Sequence, residues 1–188
     1  MAIAPPPPDA GWRRSLSSPR RFAAVSGLTL ALVLLALMLA GYAIRAAVAP
    51  PALLGDEIHY PSSAHVPGQS LGPNPPLTPA GGHHYGGTVQ VGIYDSPVND
   101  GRAIHSLEHG IVWITYQPDL VSDAELATLQ AIASDFAADT ILSPRLENSF
   151  PVIIVSWERR LTQTDLDEAM LREFVSTNRN RSPEPGLR

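Results

Sequence analysis

His105-Ser-Leu-Glu-His-Gly-Ile-Val-Trp-Ile-Thr-Tyr116 holds two opposite folding instructions. Its second half, Ile111 to Tyr116, is β-branched and aromatic, which is the composition of a central strand. Its first half sets two histidines four residues apart. Asp100-Gly101 before it and Gly110 after it allow a short helical turn that feeds the strand. In a helix His105 and His109 lie on one face and can share a metal ion. In an extended chain they would stand roughly 13 Å apart and could not.

Regular patterns spread outward from this segment. Val89 to Tyr94 reads as a short strand. Ser122 opens a helix with Glu125 completing a capping box, and Leu126, Leu129, Ala133 and Phe136 keep helical spacing. Val152 to Trp157 is a second buried strand, with Trp113 and Trp157 in the core. Trp157-Glu158-Arg159-Arg160 closes that strand with solvated charges. Thr164 caps a further helix that places Leu166, Met170 and Phe174 on one face. The order β-β-α-β-α predicts an α+β domain, a small mixed sheet with two helices packed on one face. Residues 56–87 form a long His/Gly/Pro-rich loop region ahead of it. Loops of that length inside a compact domain are uncommon, and four of the six histidines fall here, which favours a functional loop.

Further upstream, Phe22 to Ile44 is free of charge and rich in Leu and Ala. As a helix it would reach roughly 34 Å, against a hydrocarbon core of about 30 Å. Arg13, Arg14, Arg20 and Arg21 precede it and only Arg45 follows closely, which keeps the N-terminus cytoplasmic. A cleaved signal peptide is the competing reading, but its apolar core would be shorter, and Pro50 after Ala47-Val-Ala49 would hinder cleavage. The expected organisation is a disordered cytoplasmic tail with a polyproline run (1–21), a transmembrane helix (22–44), a stalk (45–56), an exported α+β domain (57–182) and a short tail (183–188). Such a chain sits in the cell membrane as a single-pass signal-anchor protein. Its partners are the bilayer and other membrane or exported proteins.

Charge and cysteine content exclude several classes. Residues 46–188 carry eight Arg and seventeen Asp plus Glu, with no Lys, so the domain repels phosphate backbones and nucleic acid is not an expected partner. The absence of Cys removes thiolate metal sites, thiol redox chemistry and a Cys nucleophile.

Imidazole is what remains. Histidines stand at 59, 65, 83, 84, 105 and 109. Neutral imidazole suits Zn, Cu, Fe or Ni; without Cys and with few Met, Cu(II) or Zn(II) is the expected ion. The expected ligands are His84 or His83, His105 and His109, with His65 as a further candidate and Glu108 orienting a ring. His105 to His109 also spells H-x-x-E-H, the inverted zinc-peptidase pattern, in which Glu108 would be the general base of a hydrolase. Gly110 and a strong strand follow at once, which disfavours the full peptidase helix, so a membrane-tethered, exported metal-binding domain, its role unspecified, is the leading reading. A third reading is an interaction module whose histidines only bond loop to sheet.

The motifs His65-Val-Pro-Gly68, Asn74-Pro-Pro76, His84-Tyr85, Gly92-Ile-Tyr94 and His105-Ser-Leu-Glu-His-Gly110 together resemble the domain-of-unknown-function 3105 family of mostly bacterial, membrane-anchored or exported proteins. Ser143-Pro-Arg145, Ser156-Trp157, Arg159-Arg-Leu161 and Arg181-Ser-Pro-Glu-Pro185 extend the likeness over about residues 57–186. The family pattern carries one His soon after Asn-Pro-Pro. Here the segment is longer and ends His83-His84-Tyr85; His84 matches the family position and His83 is additional. The resemblance implies a self-contained domain with His motifs and names no reaction.

Overall fold

The computed structural model describes residues 27–68 and 71–186. The chain forms two compact units, Met1–Pro50 and Pro51–Arg188. The first holds helix α1 (Gly27–Val48), apolar all round, with mean hydropathy 2.3 and no buried side chain. It is long and apolar enough to cross a bilayer, a property a signal sequence shares. It runs past Ile44 through Arg45 to Val48. The expected tail 1–21, the start of the expected span at 22–26 and the final residues 187–188 lie outside the described residues.

The second unit is mixed α+β. Its elements are β1 (Asp56–Glu57), β2 (Gly92–Ile93), α2 (Asp100–Glu108), β3 (Val112–Tyr116), α3 (Asp123–Asp135), β4 (Thr140–Pro144), β5 (Val152–Ser156), β6 (Arg159–Gln163) and α4 (Glu168–Asn178). They build one six-stranded sheet in the order β1-β6-β5-β3-β4-β2. β4 runs parallel to β3 and β2, and α3 supplies the crossover a parallel pair needs. β5 and β6 return antiparallel.

β3 is buried at every position, and strand alternation divides its side chains between two cores. Val112, Ile114 and Tyr116 join Leu129 and Ile132 of α3 and Leu171, Phe174 and Val175 of α4. Trp113 joins Ala103, Ile104 and Leu107 of α2, with Ile153, Val155 and Trp157. The second core is the floor on which α2 and its histidines rest.

Several sequence expectations need correction. β4 and β6 were hidden: β4 is a short run ending in Pro144, and β6 begins with two arginines. The Trp157-Glu158 segment does not simply close a strand; it is the two-residue turn of the β5–β6 hairpin, with Glu158 at φ 56°. The strand expected over Val89–Tyr94 shrinks to Gly92–Ile93, because the Val89 N–H and carbonyl both bond the Ser106 hydroxyl at 2.9 Å. The last helix is capped by Asp167, not Thr164. The Gln163 side chain bonds Asp167 N–H and carbonyl and closes a turn over Thr164 and Leu166. Its buried stripe therefore shifts to Leu171, Phe174, Val175 and Asn178, and Met170 is exposed. Asp56–Glu57 pairs with β6, and Leu54 exchanges 2.9 Å hydrogen bonds with the Asn178 side chain.

Candidate metal centre

α2 is a nine-residue helix whose ends are both defined by sequence. Asn99 caps its start by accepting from Arg102 N–H. At its end Gly110, with φ 89°, donates to the Leu107 carbonyl, and Ile111 donates to the Ser106 carbonyl. That pair of bonds is a Schellman cap, and it requires the left-handed residue at Gly110. The carbonyls of Glu108, His109 and Gly110 are then taken by backbone N–H groups of Glu184, Gly186 and Asn180. The expected short turn is thus a complete helix, braced at its C-terminus by the last residues of the domain.

The second wall comes from the His/Gly/Pro-rich loop. His65 and His84 form an isolated parallel bridge, with Val66 N–H donating to the His84 carbonyl at 2.8 Å. His84 is wholly buried; its Nδ1 lies 2.9 Å from the Gly82 carbonyl, and its ring meets Trp157 in a T-shaped contact. The loop is pinned from below by Arg145, which sequence reasoning missed. This buried guanidinium grips Asp100 at 2.7 Å, donates to the Pro75 carbonyl at 2.8 Å and to Asn148 at 2.9 Å. One side chain thereby links β4, the first turn of α2 and the Asn-Pro-Pro segment. Only the fragment Ser143-Pro-Arg145 marked it, and nothing local distinguishes a buried Arg from a solvated one. Burial pushes the Asp100 carboxyl above its usual range, with Arg145 opposing that shift.

Between these walls His65, His84, His105 and Glu108 each offer one ligand atom, all within 4.8 Å of one another. The His65 ring lies 4.6 Å, centre to centre, from both His84 and His105. Glu108 Oε2 stands 3.0 Å from His84 Nε2 and 3.8 Å from His65 Nε2. His109 sits against His105, Nε2 to Nε2 at 2.9 Å, and its Nδ1 is 3.4 Å from the Glu184 carbonyl. His83 and His59 are exposed and stand outside the group.

The polar accounting of this group is incomplete in a telling way. His84 Nε2 and His105 Nδ1 are buried without a well-aligned hydrogen bond; a Glu108 oxygen stands 3.0 Å from the first, and the Tyr85 backbone approaches the His105 ring. His84 Nδ1 faces the Gly82 carbonyl at 2.9 Å, and its Nε2 faces a carboxylate oxygen of Glu108. Two acceptors 3.0 Å apart repel unless a proton or a cation lies between them. The two Nε2 atoms of His105 and His109, 2.9 Å apart, form a hydrogen bond in which one ring donates to the other. Burial first, then His109, His84 and His65, hold the His105 imidazole below its usual pKa, with the Tyr85 backbone opposing. A ring kept neutral is a ring able to ligate.

The donor set fits a divalent ion. Bonds of about 2.0–2.1 Å in a tetrahedron place ligand atoms about 3.3–3.4 Å apart, so closing a 4.8 Å group brings its farthest pair together by about 1.5 Å, a rotamer-scale adjustment. Imidazole and carboxylate together suit borderline ions such as Zn(II) and Cu(II).

A mixed α+β domain that gathers three histidines and a glutamate on one helix and one loop belongs to the class of small domains with a candidate metal centre. Residues 75–188 match the family described as a protein of unknown function (DUF3105), and the chain belongs to that family. The matched range includes His84, His105, Glu108 and His109 and leaves His65 outside. No curated protein and no solved structure matches the chain.

Proposed function

We propose that this protein is a membrane-tethered metal-binding domain that holds Cu(II) or Zn(II) through its histidines on the outer side of the cell membrane. The observation that carries the reading is the pair of buried imidazole nitrogens without a well-aligned hydrogen bond, His84 Nε2 and His105 Nδ1, beside the Glu108 carboxylate. A buried polar atom left without a partner costs about 1–3 kcal/mol. A ligand that accepts those lone pairs offsets that cost.

His84, His105 and Glu108 form the buried part of the centre, His65 closes it, and His109 borders it through His105. Glu108 belongs among the ligands and not opposite them, since its Oε2 lies in the same group of converging atoms. That placement favours binding over the hydrolase reading, in which Glu108 would stand back from the ion as a base. α1, with arginines before it and an acidic domain after it, supports an anchor with the domain exported.

The test is thermal unfolding of the purified chain in detergent, without a His tag, during titration with Zn(II) and Cu(II). At a ligand excess of about 100 Kd the domain should gain about 2.7 kcal/mol. The gain should vanish when His105→Ala and His109→Ala are combined. Equal stability with and without every ion tested would sink the proposal.

A further inference from the structure

The four converging ligands differ sharply in how they are held. His84, His105 and Glu108 are 0%, 7% and 8% exposed, and each stands on a segment bonded into the fold. The His65 side chain is 56% exposed. Its chain segment, Pro61 to His65, is exposed throughout, and the backbone bonds that fasten it to the site are the two of its bridge to His84. Among the described residues its ring makes no hydrogen bond; ring contacts and a 3.8 Å approach to Glu108 place it.

Resting on the metal-binding reading, we propose that His65 is a displaceable fourth ligand, and that the position it vacates is an exchange site for a small nitrogen donor of the imidazole class entering from solvent. The three buried groups have their rotamers fixed by packing, so their ordering cost is met on folding. An exposed ring, once its bond to the ion breaks, turns away into water on the picosecond-to-nanosecond scale. Two imidazoles and a carboxylate stay behind and leave the fourth position of a tetrahedral ion open on the solvent side. A divalent ion so held keeps one net positive charge and takes a neutral or anionic donor. The His65 position already accommodates an imidazole ring, which sets the size and class of the entrant. A centre built in this way retains its ion at equilibrium and yields it when a competing ligand arrives through one defined side.

The experiment uses the full chain in detergent, loaded with Co(II) for its visible spectrum and with Zn(II) for release into excess chelator. His65→Gly should retain one ion per chain. It should release that ion roughly 10–100-fold faster, the scale on which loss of a contact at a metal site weakens binding, with the change expressed in the off-rate. Millimolar imidazole should restore the wild-type Co(II) spectrum and slow the release. His84→Ala, the buried comparison, should fail to retain the ion, and imidazole should not rescue it. Loss of the ion in His65→Gly as complete as in His84→Ala would overturn displaceability. Wild-type release and a spectrum indifferent to imidazole would overturn His65 as a ligand. Both results leave metal binding by the wild type standing, whereas a wild-type chain that binds no ion overturns both proposals.

Discussion

Glu108→Gln separates a metal centre from a structural histidine cluster because the two accounts give opposite signs for the metal-free protein. Glu108 Oε2 lies 3.0 Å from His84 Nε2, the atom that is buried without a well-aligned hydrogen bond. Glutamine keeps the shape and can turn its amide N–H toward that lone pair. One added hydrogen bond contributes about 1 kcal/mol, and removal of a buried carboxylate facing an acceptor adds to it. For a domain of this size that is a rise in Tm of about 3–5 °C without metal. The ion, deprived of its anionic ligand, should bind at least ~10–100-fold more weakly. The assay is thermal unfolding of wild type and variant in chelator and in excess Zn(II), followed by circular dichroism. The two melting curves should cross over, with the variant higher in chelator and lower in Zn(II). A variant that melts well below wild type in chelator would refute the reasoning. It would mean that His84 is cationic and that Glu108 is simply its ion-pair partner.

Arg145→Met should cost about 3–5 kcal/mol in urea unfolding, because it leaves Asp100 buried and unpaired; adding Asp100→Asn should recover part of it, and a loss below about 1 kcal/mol would refute the pinning role. Gly110→Ala should cost about 1–3 kcal/mol, since φ is 89° and the new Cβ would lie 2.8 Å from Asn180 Cα; unchanged stability would show that the C-terminal brace gives way freely. Acid should destabilise the metal-free domain through His105, whose folded pKa is lowered by burial and by His109, His84 and His65, with Glu108 the acidic neighbour of the group. The unfolded state then binds more protons below about pH 6.5, so this contribution is full above that value and is lost as pH falls toward the folded pKa. Melting temperatures of the apo protein at pH 7.5 and 5.5 check it, and a Tm that rises on acidification contradicts it.

What was legible in the sequence was local. Ile111–Tyr116 announced a buried strand by composition, Ser122 and Glu125 announced a helix by their spacing, and both features are present. The histidine spacing in α2 was legible for the same reason, because four residues on a helix is a fixed geometry. Placement set by distant contacts was not legible. The start of α4 depends on Gln163 folding over Asp167, and β6 depends on pairing with β5 despite its arginines. His65 and His84 meet through a single bridge across a loop without regular spacing, so the sequence could only nominate them. His83 and His84 are chemically alike as letters. Burial separates them, with His84 turned inward against Trp157 and His83 left exposed.

The central claim is that the buried imidazoles hold an ion, and elemental mass spectrometry of the untagged full chain, purified in detergent and dialysed after exposure to Zn(II) and Cu(II), tests it most directly. One equivalent of a single ion per chain is predicted for wild type, with substoichiometric metal in His84→Ala and in His105→Ala. No retained metal in wild type, or an equivalent retained undiminished in both variants, would contradict it.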